Sequence, residues 1–388
     1  LDYEYFEKED LINIEIADNV EVIGERAFGK CKKLKKVILP ENLITIKNGA
    51  FSGCESIEEI ILPDTLKVIG HRAFANCKRL KRLVIPEGCE KIDWGAFAGC
   101  ENLEEVVLPN SLKKLSPQLF LNCKKLKRII LPNGVTSLPD EIFKGCHNLD
   151  IVLDSKINKL GDKVFENCYS LSKYPTQIVE LGVDAFRNCR SLEKVVLNDN
   201  IASLATGAFD GCINLKDISS LFGREIKCGD RCFRNCKSLQ RIPSFVKKYA
   251  RRMFENCTGI ESITVTDSVI PMACFRGCSN LRTINNQEKI ESINAFAFSG
   301  CKSLEEFTIS RLLDGSIGAE AFSHCKSLRK VINKCPIKRV ESRAFYDCTV
   351  LEDLNFIGSC EYIAKEAFKY CDNVKKLVIP VNFRAAPL

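Results

Sequence analysis

The chain has 388 residues, 45% of them apolar and 28% charged, with a net charge of +7. That composition belongs to a folded protein, and its positive charge is too dilute to dictate nucleic-acid binding; one Trp, 8 Tyr and 23 Phe leave few rings to spare for stacking bases. No run approaches the ~18 apolar residues of a membrane span, and no secretory leader is visible, although an opening on Leu1 keeps that from arguing for a cytoplasmic location.

Residues 1–10 carry Tyr5 and Lys8 where later segments carry Phe and Cys, amid Asp2, Glu4, Glu7, Glu9 and Asp10. A degenerate polar cap is expected there, as an exposed end of a stack requires. Over 11–380 one unit recurs. Sixteen phenylalanines, from Phe28 to Phe368, are each followed three residues later by Cys, mostly at steps of 23 and otherwise of 21, 22 or 24. A period in that range is the signature of a solenoid.

One unit reads Cys31, Leu34, Val37, Leu39, Pro40, Leu43, Ile46, Ala50, Phe51, and the next Cys54, Ile57, Ile60, Leu62, Pro63, Leu66, Ile69, Ala73, Phe74. Val37 and Leu39 have the spacing of a strand with Ile38 facing outward. Pro40 ends the strand because it has no N–H to give the ladder. Leu43 and Ile46 form a second short apolar pair leading into the Ala-Phe corner, where Phe is the largest inward group. Residues 381–388 read as an incomplete last repeat of one solenoid spanning 1–388.

The 22 cysteines invite a disulfide reading. Sixteen share one register, where neighbouring Cβ vectors run parallel and suit a disulfide poorly. Of the rest, Cys89 and Cys360 replace Leu43, Cys228 replaces Ile46, Cys232 and Cys274 replace Ala50, and Cys335 alone falls outside an apolar slot. Buried reduced thiols are expected, with some disulfides as the rival reading. Cys228, Cys232 and Cys236 crowd together but occupy different slots, with no nearby His to complete a metal set, so no metal site and no cofactor is expected.

His71, His147 and His324 stand at spacer positions and read as solvated surface residues. No phosphate loop, His-Glu-x-x-His or nucleophile elbow is present, and a thiol in a buried register lacks the base and exposure of a catalytic one. No enzyme is expected.

Two outward patterns exceed the needs of folding. Charge flips from turn to turn: Lys32, Lys33, Lys35, Lys36; Glu55, Glu58, Glu59; Lys78, Arg79, Lys81, Arg82; Glu101, Glu104, Glu105; Lys124, Lys125, Lys127, Arg128. A weaker echo runs through Glu305 and Glu306, Arg329 and Lys330, Glu352 and Asp353, and Lys375 and Lys376. Opposite rows would sit side by side and hold register, whereas a nucleic-acid groove would want continuous positive charge. The outward strand residue is apolar at Ile38, Ile61, Val84, Val107, Ile130, Val152 and Val196. It then turns polar at Thr264, Thr308 and Asn355, with Val378 an exception. β-Branched residues suit any strand, yet an apolar patch flanked by charge also marks a partner site; these seven are the candidate partner-binding residues.

The consensus Cys-x-x-Leu-x-x-Ile-x-Leu-Pro-x-x-Leu-x-x-Ile-x-x-x-Ala-Phe resembles the BspA-like subclass of leucine-rich repeats, found largely in bacterial surface proteins. The resemblance implies a right-handed solenoid with a parallel β-sheet on its concave face and short strands and turns opposite. It also implies a secreted or cell-surface location and binding of a host or matrix protein. The chain is therefore expected to be a monomeric, non-enzymatic protein-interaction module without nucleic acid, cofactor or transmembrane segment. The rival reading is a structural spacer that holds another segment away from a surface.

Overall fold

In Lys36–Ile38 the middle residue, Val37, is buried and its two neighbours face solvent. The same exposed-buried-exposed order recurs in Arg82–Val84 and Arg128–Ile130, so the two-residue period of the sequence is the inside-outside alternation of a strand. The structure is a computed structural model and describes residues 10–153, 156–220, 225–354, 357–375 and 384–385. The chain divides into two units, Leu1–Leu192 and Glu193–Leu388. Each is a stack of coils, about fifteen in all, whose described strands pair in parallel. One helix is described over its whole length, the 3-10 turn Gln287–Lys289.

In the first unit the longer strands pair as Asn13–Glu15 with Lys36–Ile38, and as Arg82–Val84, Glu105–Val107 and Arg128–Ile130 in register. A second column of two-residue strands runs through Val22–Ile23, Thr45–Ile46, Val68–Ile69 and Lys91–Ile92, then Ser137–Leu138, Lys159–Leu160 and Glu180–Leu181. The Leu43/Ile46 pair of the repeat is thus a strand in its own right. In the second unit the longer strands pair two by two, Lys194–Leu197 with Asp217–Ser220, Ser262–Thr264 with Thr283–Asn285, and Glu306–Ile309 with Lys330–Asn333. Its short strands are the more continuous, joining six from Val269–Ile270 to Arg384–Ala385.

The Ala-Phe corner makes a third ladder. Phe28 N donates to Ala50 O at 2.8 Å, Phe51 N to Ala73 O at 2.7 Å and Phe74 N to Ala96 O at 2.8 Å. Its tight turning places the second residue after Phe in the left-handed region, as at Gly53 (φ 79°) and Asn76 (φ 61°), and Gly and Asn are the residues that tolerate that backbone. Asn side chains at this slot also bridge coils, Asn188 Nδ2 donating to Asn167 Oδ1 at 2.8 Å.

The phenylalanines stack ring on ring at 5.2–6.0 Å from Phe28 to Phe186 in the first unit, and at 5.2–5.9 Å from Phe209 to Phe368 in the second. Most of these rings are completely buried, and each stabilises its coil by about 1.5–3 kcal/mol.

Beside that column runs one of sulfur. All 22 cysteines are free thiols, 19 of them buried. The thiols of fourteen of the sixteen register cysteines donate to the Phe carbonyl of the preceding coil, among them Cys54 to Phe28 at 3.1 Å, Cys100 to Phe74 at 3.3 Å and Cys257 to Phe233 at 3.0 Å. That carbonyl already accepts the backbone N–H of its own coil's cysteine, as Phe28 O does from Cys31 at 3.3 Å. Cysteine is therefore a small apolar filler that also carries a weak donor, and leucine or alanine would supply only the first property. Cys89, Cys232, Cys274 and Cys360 fill their apolar slots as fully buried residues, while Cys228, Cys335 and Cys371 are half-buried.

Residues 1–9 of the expected cap, the outward residues Asn355 and Val378, Lys376, and most of the terminal 381–388 lie outside the described residues.

Candidate interaction surface

Ladder pairing aligns Val84, Val107 and Ile130 as outward neighbours, with Leu83, Val106 and Ile129 beneath them and Arg82, Glu105 and Arg128 beside them. Ile61 (78% exposed) and Val152 (71%) project from extended segments that are not strands, because the longer-strand sheet is interrupted at both coils. Ile38 and Ile61 line one cleft of about 940 Å³ with Lys35, Lys36, Glu58 and Glu59. Val107, Ile130 and Val152 line another of about 500 Å³ with Arg82, Glu105 and Arg128. Six of the seven sequence-predicted residues thus share the strand face of the first unit. Val196, half-buried on Lys194–Leu197, belongs to the second unit.

The alternating charges flank this face. Lys78 meets Glu55 at 3.1 Å, Lys81 meets Glu58 at 3.1 Å, Lys124 meets Glu101 at 3.1 Å and Lys127 meets Glu104 at 3.2 Å, each pair spanning adjacent coils. Glu105 lies between Arg82 at 3.9 Å and Arg128 at 3.6 Å. The hydrogen bond from Lys81 holds the Glu58 carboxyl below its usual range. Exposed pairs contribute ~0–1 kcal/mol each, so their principal effect is to make a one-coil slip put like charges together. The echo in the second unit sets Glu306 opposite Lys330 in the same way.

A second charge ladder runs at the residue after Phe, a position that sequence motifs alone do not single out. In the first unit Glu166, largely buried, lies between Lys144 at 3.2 Å and Arg187 at 3.6 Å. In the second, Arg234 forks onto the buried Asp210 at 2.7 and 3.1 Å, and Arg276 faces Glu255 at 3.6 Å.

The histidines differ from the solvated surface residues expected. His71 and His147 are half-buried, stacked on Trp94 at 4.4 Å and Tyr169 at 4.5 Å, one coil on. Arg72 and Arg190 sit over the same two rings. Partial burial lowers both histidine pKa values, helped by Arg72 at His71 and by Lys124 and Arg190 at His147. His324 is exposed, as expected, but bonds Asp347 at 2.8 Å. Burial alone would raise the Asp347 carboxyl; the bonds from His324 and Lys326 outweigh it and hold the pKa down. Each partner lies 22 or 23 residues downstream, so aligning the repeats, rather than scanning for isolated motifs, would have found them.

Burial pushes the Cys100, Cys278 and Cys325 thiols up to about 12. A nucleophile or metal ligand must be a thiolate, so these sulfurs stay protonated donors at neutral pH. Among the described residues no group of three or more His, Cys, Asp or Glu is placed to hold a metal ion.

A sequence model of the BspA type leucine-rich repeat region, six copies long, matches residues 1–127, 116–239, 172–282, 222–315 and 314–386. No curated protein sequence matches significantly. Among solved structures, a leucine-rich repeat protein from Bacteroides ovatus is 27% identical over 95% of this chain and 78% of its own, with a TM-score of 0.51. A leucine-rich cell surface protein from Faecalibacterium prausnitzii is 23% identical over 83% of this chain and 88% of its own, at a TM-score of 0.49. A leucine-rich repeat protein of T. pallidum is 32% identical over 41% of this chain and 77% of its own, at a TM-score of 0.38.

Proposed function

We propose, from the premise that this chain belongs to the BspA-type leucine-rich repeat family, that it is a non-enzymatic module binding a protein partner across the strand face of its first unit. The observation that carries this reading is the exposed apolar row Ile61, Val84, Ile130 and Val152, which the core does not use and which paired charges border on the side that leads into the strands. An apolar centre with a polar rim is the anatomy of a protein interface. The rim cations are already neutralised by glutamates one coil away, which favours a protein over a polyanion at this face. Export to a bacterial surface and a host or matrix partner rest on the family resemblance. Among the described residues no helix is long and apolar enough to cross a membrane.

The test is an array of purified extracellular-matrix and serum proteins probed with the whole chain and with the triple variant Ile61→Glu, Val84→Glu, Val107→Glu. Capture of an array member that falls at least tenfold in the variant, at an unchanged melting temperature, supports the reading. Capture that persists undiminished places the site elsewhere, and no capture at all removes the reading.

A further inference from the structure

One stretch of the second unit concentrates positive charge on two neighbouring coils. Residues 227–252 hold nine basic side chains and a single acidic one, Asp230. Phe233 stacks on Phe254 at 5.7 Å, Arg231 N donates to Arg251 O at 2.9 Å and Phe233 N to Met253 O at 3.1 Å. Those contacts align two successive coils of the second unit so that Lys247 and Lys248 lie against Lys227, and Arg252 against Arg231. Like is set against like. Asp230 is held by Arg251 at 2.9 Å, and the nearby Asp267 accepts from the backbone N–H groups of Tyr249 at 3.0 Å and Val269 at 3.4 Å. Glu225 precedes the run and pairs with none of its cations. Lys227, Arg231, Lys247, Lys248 and Arg252 therefore have no carboxylate partner among the described residues, and the three lysines are exposed. The coils on either side are neutral at these positions, with Ser203 in register with Lys227 and Val269 and Ala273 on the far side.

Like charges placed opposite one another destabilise a stack. Here the chain keeps five with no carboxylate set between them, and a local cost borne without compensation is where function is expected. We propose that this two-coil patch binds an acidic linear polysaccharide through its sulfate and carboxylate groups. Guanidinium forks take such oxyanions in a bidentate manner, and the lysines add point charges. The run from Lys247 to Arg252 reaches at most about 20 Å, the scale of a few sugar units. A nucleic-acid strand would want rings to stack on, but Phe233, Phe245, Tyr249 and Phe254 are all buried. A membrane would want apolar groups to insert, but Val246 and Met253 are buried too.

The test is titration of the whole chain with a heparin hexasaccharide at low salt, alongside Lys248→Glu/Arg252→Glu and a control of equal charge change, Lys125→Glu/Lys302→Glu, on exposed lysines elsewhere. The proposal expects saturable binding that weakens with added salt, falls at least tenfold in the patch variant and less than twofold in the control. Melting temperatures check the fold, and Lys248→Gln/Arg252→Gln replaces the reversal if it unfolds. Absence of binding, an equal loss in the control, or tighter binding of single-stranded DNA or phosphatidylserine vesicles overturns it.

Discussion

In the first unit the coils from Lys78 to Arg128 set each cationic row against a glutamate row, whereas the second unit's coils at 227–252 stack cation on cation. The interiors of the two regions are the same. Phe97 and Phe254 are both fully buried in a ring column, and Cys123 and Cys278 donate to their carbonyls at 3.3 and 3.2 Å. The difference teaches that the repeat constrains only the inward positions, leaving the outward ones free to hold the stack in register or to meet something outside it.

If the interiors are equivalent, Phe97→Ala and Phe254→Ala should each cost about 3–5 kcal/mol by denaturant unfolding; a much smaller loss at Phe254 would break the comparison. Arg234→Ala takes the guanidinium from Asp210, whose side chain is 2% exposed and which keeps the amide of Asn235, and should cost about 3 kcal/mol. An exposed pair gives no such loss, so this variant separates the buried charge ladder from the surface one.

The thiols should respond alike in both regions. Burial holds Cys100 and Cys278 up at about 12, whereas a thiol in the unfolded chain titrates near ~8.5. The folded state keeps protons that the unfolded state has shed. Stability is therefore full below about pH 8.5 and is lost as pH rises toward 12. The unfolding midpoint should stay flat from pH 6 to 8 and then fall, and Cys100→Ala with Cys278→Ala should flatten part of that slope. A midpoint that does not move up to pH 11 would show the sulfurs to be accessible.

The smallest effects carry opposite signs. Lys81→Ala loses its bond to Glu58 and should lower stability by up to about 0.5 kcal/mol; Lys248→Ala relieves repulsion and should raise it by a similar amount. Losses at both would mean that the patch is neutralised after all.

Most of the fold was legible because the Phe, Cys and Leu slots recur at nearly constant spacing, and a constant spacing fixes what lies above what. The second strand column was half-seen, since two residues are too few to show a period. The donor role of the thiols was not legible: a buried small residue and a buried donor leave the same mark in a sequence. The apolar face could be read off because Ile61 and Val84 alternate with buried neighbours. Val196 was grouped with them by residue type; it is half-buried and lies in the second unit. The basic patch escaped notice because a coil that lacks two residues of the consensus, Arg241-Ile242-Pro243, hides its register until the rings are aligned.

Corner, strand and sulfur bonds all run from one coil to its neighbour, as from Phe51 to Ala73 and from Cys77 to Phe51. A gene segment encoding one such cassette can be duplicated or deleted, and the flanking cassettes will close on each other with the same bonds. Evolution can thus lengthen or shorten the molecule without inventing a new interior, and recombine exposed faces between copies as interchangeable tiles.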